Sequence, residues 1–208
     1  MLEEKENMRK AISAVLAAVA LFGGVAISNG AANADVVKDG PYSNVSCDKR
    51  AEQGLKYQIC DVYVKSEGSN NYDKFAGKYA FVDGLDSNWK NATIPEKLGG
   101  VDVLQIGWFE HPVENRDDVT NVSIEAGQRE FTEIGEGVYT TVSQWAFQGA
   151  NSLETVAFNG NLIFGEYSFE NKNDRKPVEV YNTVYNKSGK GTAVAEFEGA
   201  FNGCHKNF

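Results

Sequence analysis

The chain has 208 residues, 42% of them hydrophobic, and carries 29 acidic against 20 basic side chains for a net charge of −9. An acidic balance without a block of Lys and Arg excludes nucleic acid and anionic membrane surfaces as expected partners, because both demand clustered positive charge. The length suits one domain or two, and 3 cysteines with 2 histidines are too few for a convincing zinc set.

In chain order, the first element is an export signal. Met8-Arg9-Lys10 precedes an apolar run over 11–27, and Ala32-Asn33-Ala34 precedes Asp35. A basic start, an apolar middle and small residues at −3 and −1 predict cleavage after Ala34, which makes 1–34 a signal peptide. The expected location is therefore secreted or cell-surface. Glu3, Glu4 and Glu6 are unusual in such a leader, and the pattern is cleaner counted from Met8. A retained membrane helix is the competing reading, weakened by Ser13, Gly23, Gly24 and the marginal length of the run. No later apolar run approaches membrane-spanning length, so no span is expected after cleavage.

Residues 35–91 are polar and rich in Asn, Ser and Gly, with two strand-like runs. The run 57–64 puts Cys60, Val62 and Val64 on one face, and 78–84 ends in the Asp83-Gly84 turn. This region reads as a small β-rich N-terminal cap, since the end of a repeat array needs a polar outer face. Export permits disulfides, and Cys47 and Cys60 are the candidate pair, although sequence alone does not fix connectivity. Cys204 is then left as a small apolar core residue.

The second half repeats itself. Trp145, Ala146, Phe147, Val156 and Phe158 recur as Tyr167, Ser168, Phe169, Val178 and Val180, a shift of 22 residues, and Gly199-Ala200-Phe201 supplies a third aromatic copy. A period in the 20s predicts a repeat solenoid in which each unit buries its apolar face against its neighbours. The phenylalanines would fill the interior, and the apolar pairs would alternate inward along short parallel strands. The spacing is irregular: 38 residues separate Phe109 from Phe147 and 32 separate Phe169 from Phe201, with polar insertions near 112–118, 127–139 and 186–190.

Three stretches carry a family resemblance. Thr93-Ile94-Pro95 leads to Val101-Asp102-Val103-Leu104-Gln105-Ile106-Gly107; Trp145-Ala146-Phe147 runs on to Val156 and Phe158; and Ala200-Phe201-Asn202-Gly203-Cys204 closes the chain. Over 92–208 these resemble BspA-type (treponemal-type) leucine-rich repeats, with Cys204 on the family's Cys position. The resemblance implies a leucine-rich-repeat-like solenoid, mostly β with short irregular or helical turns. It also implies a role in surface adhesion or protein–protein interaction. The array ends seven residues after Phe201, as a truncated member would.

No catalytic constellation is assembled by the sequence. G-x-S-x-G is absent, and Gly189-Lys190-Gly191-Thr192 lacks the upstream glycine and Lys-Ser/Thr pair of a phosphate loop. Glu114, Asp117 and Asp118 offer carboxylates for calcium, but a solvated acidic loop is the plainer reading. No catalytic, cofactor or metal residue is assigned. Trp108, Trp145 and Tyr167 are candidate ligand-contact aromatics, against the plainer reading that they cover the core. The expectation is an exported, non-catalytic binding protein with a protein or cell-surface ligand. The alternatives are a secreted carbohydrate-binding module or glycan-active enzyme, or a fragment of a longer surface protein.

Overall fold

Two long runs with apolar residues on both alternating faces set the largest feature of the fold. In the computed structural model, which describes residues 41–108, 112–127, 129–171, 176–183 and 195–208, β1 (Ser43–Glu52), β2 (Leu55–Lys65) and β3 (Tyr72–Leu85) pair antiparallel in sequence order. The expected signal peptide and the Gly189-Lys190-Gly191-Thr192 stretch lie outside the described residues. In β2, Leu55, Tyr57 and Ile59 enter one buried cluster while Cys60, Val62 and Val64 enter another. Successive side chains of a strand point to opposite faces, so this strand is covered on both sides.

Short strands follow: β4 (Asn91–Ile94), β5 (Lys97–Leu98), β6 (Val101–Ile106), β7 (Asn121–Ile124), β8 (Thr141–Val142), β9 (Thr155–Phe158), β10 (Ile163–Phe164), β11 (Val178–Asn182), β12 (Ala195–Glu196) and β13 (Cys204–Lys206). From β6 onward the chain passes back and forth between two sheets. The larger has eight strands in the order β1-β2-β3-β6-β8-β10-β12, with β5 paired to β6; the smaller has five in the order β13-β11-β9-β7-β4. The smaller sheet is parallel throughout. The larger is mixed, antiparallel over β1–β3 and parallel from β3 to β12.

The expected leucine-rich-repeat-like solenoid behind a small cap is corrected by this architecture, a mixed β domain of two sheets with almost no helix. Among the described residues the helical content is one 3-10 turn, Arg116–Asp118, where the resemblance had implied recurring helical or irregular turns. Nor do the first strands form a separate lid. Ala80, Phe81 and Val82 of β3 pair with Val103, Gln105 and Ile106 of β6, so one hydrogen-bonded sheet continues across the expected boundary at residue 91. The physical reason lies in β2 and β3, whose apolar faces on both sides need cover on both sides.

The strand register also differs from the 22-residue alignment. Val156 pairs with Val180, not Val178, and Phe158 with Asn182, a slip of two residues. The aromatic turns do keep the shift, as Phe147 stacks on Phe169 at 5.0 Å and 4°. Phe169 in turn stacks on Phe201 at 5.7 Å and 2°. These rings fill the space between the sheets together with Val122, Val156, Phe158 and Phe164. A second cluster covers the opposite face of the larger sheet. There Phe131, Ile134 and Val138, from a loop closed by the Glu130–Tyr139 bridge, pack on Val62, Tyr79 and Phe81. None of the helical residues described forms a helix long and apolar enough to cross a membrane.

Candidate binding surface

The three candidate aromatics do not form one patch. Trp108 is half-buried and lies parallel to Phe81 at 5.3 Å and 11°. It belongs to the cluster on the outer face of the larger sheet, where it acts as cover.

Trp145 and Tyr167, by contrast, occupy equivalent places on consecutive turns, just after β8 and β10. The Trp145 amide donates to the Glu166 carbonyl at 3.1 Å, and the Tyr167 amide to the Glu198 carbonyl at 3.2 Å. Both are half-exposed, and neither ring meets another aromatic among the described residues. Their backbones are unusual. Trp145 has φ 61° and Tyr167 φ 54°, in the left-handed region that bulky residues avoid at a cost of about 1–3 kcal/mol each. The third turn of the series puts Gly199 there, at φ 68°. Its missing side chain also makes room for its neighbour, since a Cβ on Gly199 would lie 2.3 Å from the Tyr167 ring.

Polar side chains on the same turns brace them from outside. Gln144 donates to Glu166 at 3.1 Å and Gln148 to Glu170 at 2.5 Å, while Asn202 reaches Glu170 from the other side at 3.2 Å. Stacked phenylalanines inside and amide–carboxylate bonds outside leave these turns little freedom to move. A rigid platform of this kind holds its aromatics in place before any ligand arrives, which reduces the entropy lost on binding.

Cys47 and Cys60 are bonded to each other, with Cα atoms 4.1 Å apart. Cys47 sits in the bulge between Val45 and Asp48 of β1, so the bond joins the outermost strand to β2. Cys204 is a free, half-buried thiol that donates to the Phe169 carbonyl at 3.2 Å. Burial pushes its pKa up to about 12, which keeps it protonated and a poor nucleophile.

The acidic loop does not converge. Glu114 pairs with Lys56 at 2.9 Å, and Asp118 accepts the Asn88 amide at 3.0 Å. No three metal-ligating side chains come together among the described residues.

Two surfaces escaped the sequence reading. Phe75 on β3 is 53% exposed and meets Tyr63 edge-on at 5.4 Å; alternation within 57–64 hinted at an outward Tyr63, but nothing marked Phe75. A polar groove at the strand starts of the smaller sheet is assembled from separate turns, and no local motif signals it. Comparison with protein-family models, curated proteins and solved structures gives no match.

Proposed function

We propose that this is an exported, non-catalytic binding protein that engages another protein at the cell surface through the Trp145–Tyr167 turns. The observation that carries this reading is the backbone at those two residues. Glycine would relieve the left-handed strain, as Gly199 does one turn later, yet the chain keeps two large rings there, half-exposed and, among the described residues, without aromatic neighbours. Strain retained at a surface position is a mark of functional use, and Trp and Tyr are the side chains that most often anchor protein interfaces. The export pattern at 8–34 and the bond between Cys47 and Cys60 both favour an oxidising, extracytoplasmic setting. The motif resemblance to a family of surface adhesins is the further support for a protein ligand.

A double replacement, Trp145→Gly with Tyr167→Gly, separates this role from mere core cover. The binding reading expects stability unchanged or raised, because strain is released, and loss of saturable binding to the one member of an immobilised extracellular-matrix and cell-surface protein panel that captures the native chain. A protein that melts well below the native one, or that retains capture, assigns the rings to packing. Absence of saturable capture by the whole panel counts against adhesion.

A further inference from the structure

A groove of about 380 Å³ crosses the starting ends of the strands in the smaller sheet. One wall is made of the residues that immediately precede four strands: Lys90 before β4, Thr120 before β7, Glu154 before β9 and Pro177 before β11. Backbone bonds hold this row in step, with the Thr120 amide on the Lys90 carbonyl at 2.8 Å, that of Glu154 on Thr120 at 2.8 Å and that of Glu179 on Glu154 at 2.9 Å. The turn over 150–153 lines it as well. Leu153 and Ala150 also line the groove and pack into the core, which gives it an apolar floor.

Asn151 and Asn171 on the groove are engaged within the protein, but other polar groups around that floor remain open. Among the described residues the hydroxyls of Thr120 and Ser152 and the carboxylate of Glu154 make no hydrogen bond or ion pair, and the Lys176 ammonium makes none either, acting on Glu179 only through its charge. Lys90 donates only to a carbonyl, that of Asp118, at 3.0 Å. Both charge signs are thus present in the lining, together with two hydroxyls.

We propose that this groove binds a neutral saccharide unit. A net anion would face Glu154 and the overall charge of −9, and a net cation would face Lys90 and Lys176. A purely apolar ligand would strand the hydroxyls and charges without water. Sugar hydroxyls both donate and accept, so one ring can donate to the Glu154 carboxylate and accept from an ammonium group while its C–H face rests on Ala150, Leu153 and Pro177. The volume lies within the range of about 300–1,000 Å³ usual for small-ligand sites. This site is separate from the aromatic turns, and its success or failure leaves the protein-binding reading standing.

Saturation-transfer NMR followed by calorimetry, on methyl glycosides of glucose, galactose, mannose and N-acetylglucosamine, tests the proposal. The charged counter-probes are glucuronic acid and glucosamine. One neutral glycoside is expected to bind better than both. Glu154→Ala should weaken it roughly tenfold or more, the loss expected for one charged hydrogen bond, and Ser152→Tyr should abolish it by filling the groove. The Trp145→Gly/Tyr167→Gly protein should bind the sugar as the native chain does. Failure of all four neutral glycosides, a preference for either charged probe, or binding that survives both groove replacements would overturn it.

Discussion

The antiparallel and parallel halves of this molecule reach stability by different means. β1 to β3 are 10, 11 and 14 residues long and hold together through long backbone ladders, two buried faces and a disulfide at the outer edge. From β8 to β13 the strands run 2 to 5 residues, too short to stand on ladder bonds alone. There the side chains carry the order: Phe147, Phe169 and Phe201 stack at 5.0 and 5.7 Å, close to the spacing of neighbouring strands, about 4.8 Å. Parallel pairing puts like residues above one another, so the aromatic column is what short in-register strands can build and long antiparallel ones do not need.

The largest expected effect comes from breaking that column in the middle. Phe169 is 1% exposed with a ring on each side, and Phe169→Ala should cost about 3–5 kcal/mol in lost transfer energy and cavity. Hydrogen exchange should show where it is lost. If the two halves rely on separate devices, protection falls first over β9 to β13 and survives in β2 and β3. Uniform loss across both sheets would mean that the shared strand pairing between β3 and β6 makes the molecule one cooperative unit.

The converse replacement acts on the other half. Cys47 and Cys60 are 13 residues apart, and closing a loop of that size is worth about 3 kcal/mol through the unfolded chain. Cys47→Ser with Cys60→Ser should lower the unfolding free energy by about that amount, seen as a lower denaturation midpoint, and release β1, the edge strand. Exchange near β11 and β13 should be little changed.

Alkaline titration probes both halves together. Burial raises the pKa of Tyr42 and of Tyr79 in the first half, and raises that of Cys204 in the second to about 12 from an ordinary 9.0. Each group is favoured in its protonated form by folding. Their contribution is therefore complete below the unfolded-state values and is lost as pH climbs toward the folded-state ones. Melting temperature should fall between pH 9 and 12, and Cys204→Ala should flatten part of that slope. A midpoint independent of pH over this range would contradict the burial of all three.

What could be read from the sequence divides along the same line. The aromatic register of the turns was visible because Trp145/Tyr167 and Phe147/Phe169 sit on rigid, equivalent turns bound to one another. The strand register was not, because two extra residues between Phe169 and Val178 shift β11 against β9, and a sequence alignment anchored on the turns carries the error forward. The antiparallel half reads as a small cap because the end of a repeat array needs a polar outer face; that β3 pairs with β6 in one sheet depends on contacts far apart in sequence. The loop from Arg129 to Tyr139 looked like a plain insertion. It is held down by Arg129 on Asp102, by the Tyr79 hydroxyl donating to Glu133 at 2.5 Å and by Phe131 against Tyr79, none of which a local pattern announces. The groove escaped for the same reason, as its walls come from four different turns.

The smallest effect is the sharpest test of how alike the repeated turns are. Ala146 and Ser168 occupy the same place on consecutive turns, and both are fully buried. The Ser168 hydroxyl has no hydrogen-bond partner, while its carbonyl accepts the Phe147 amide at 2.7 Å, a bond that any residue there would keep. A buried hydroxyl without a partner costs about 1–3 kcal/mol relative to water, and Ala at the preceding turn already demonstrates a side chain that fits. Ser168→Ala should therefore raise stability by about 1 kcal/mol, seen as a higher urea midpoint with an unchanged slope. A loss would mean that the second turn, unlike the first, draws on that hydroxyl, and that the two turns are equivalent in backbone but not in packing.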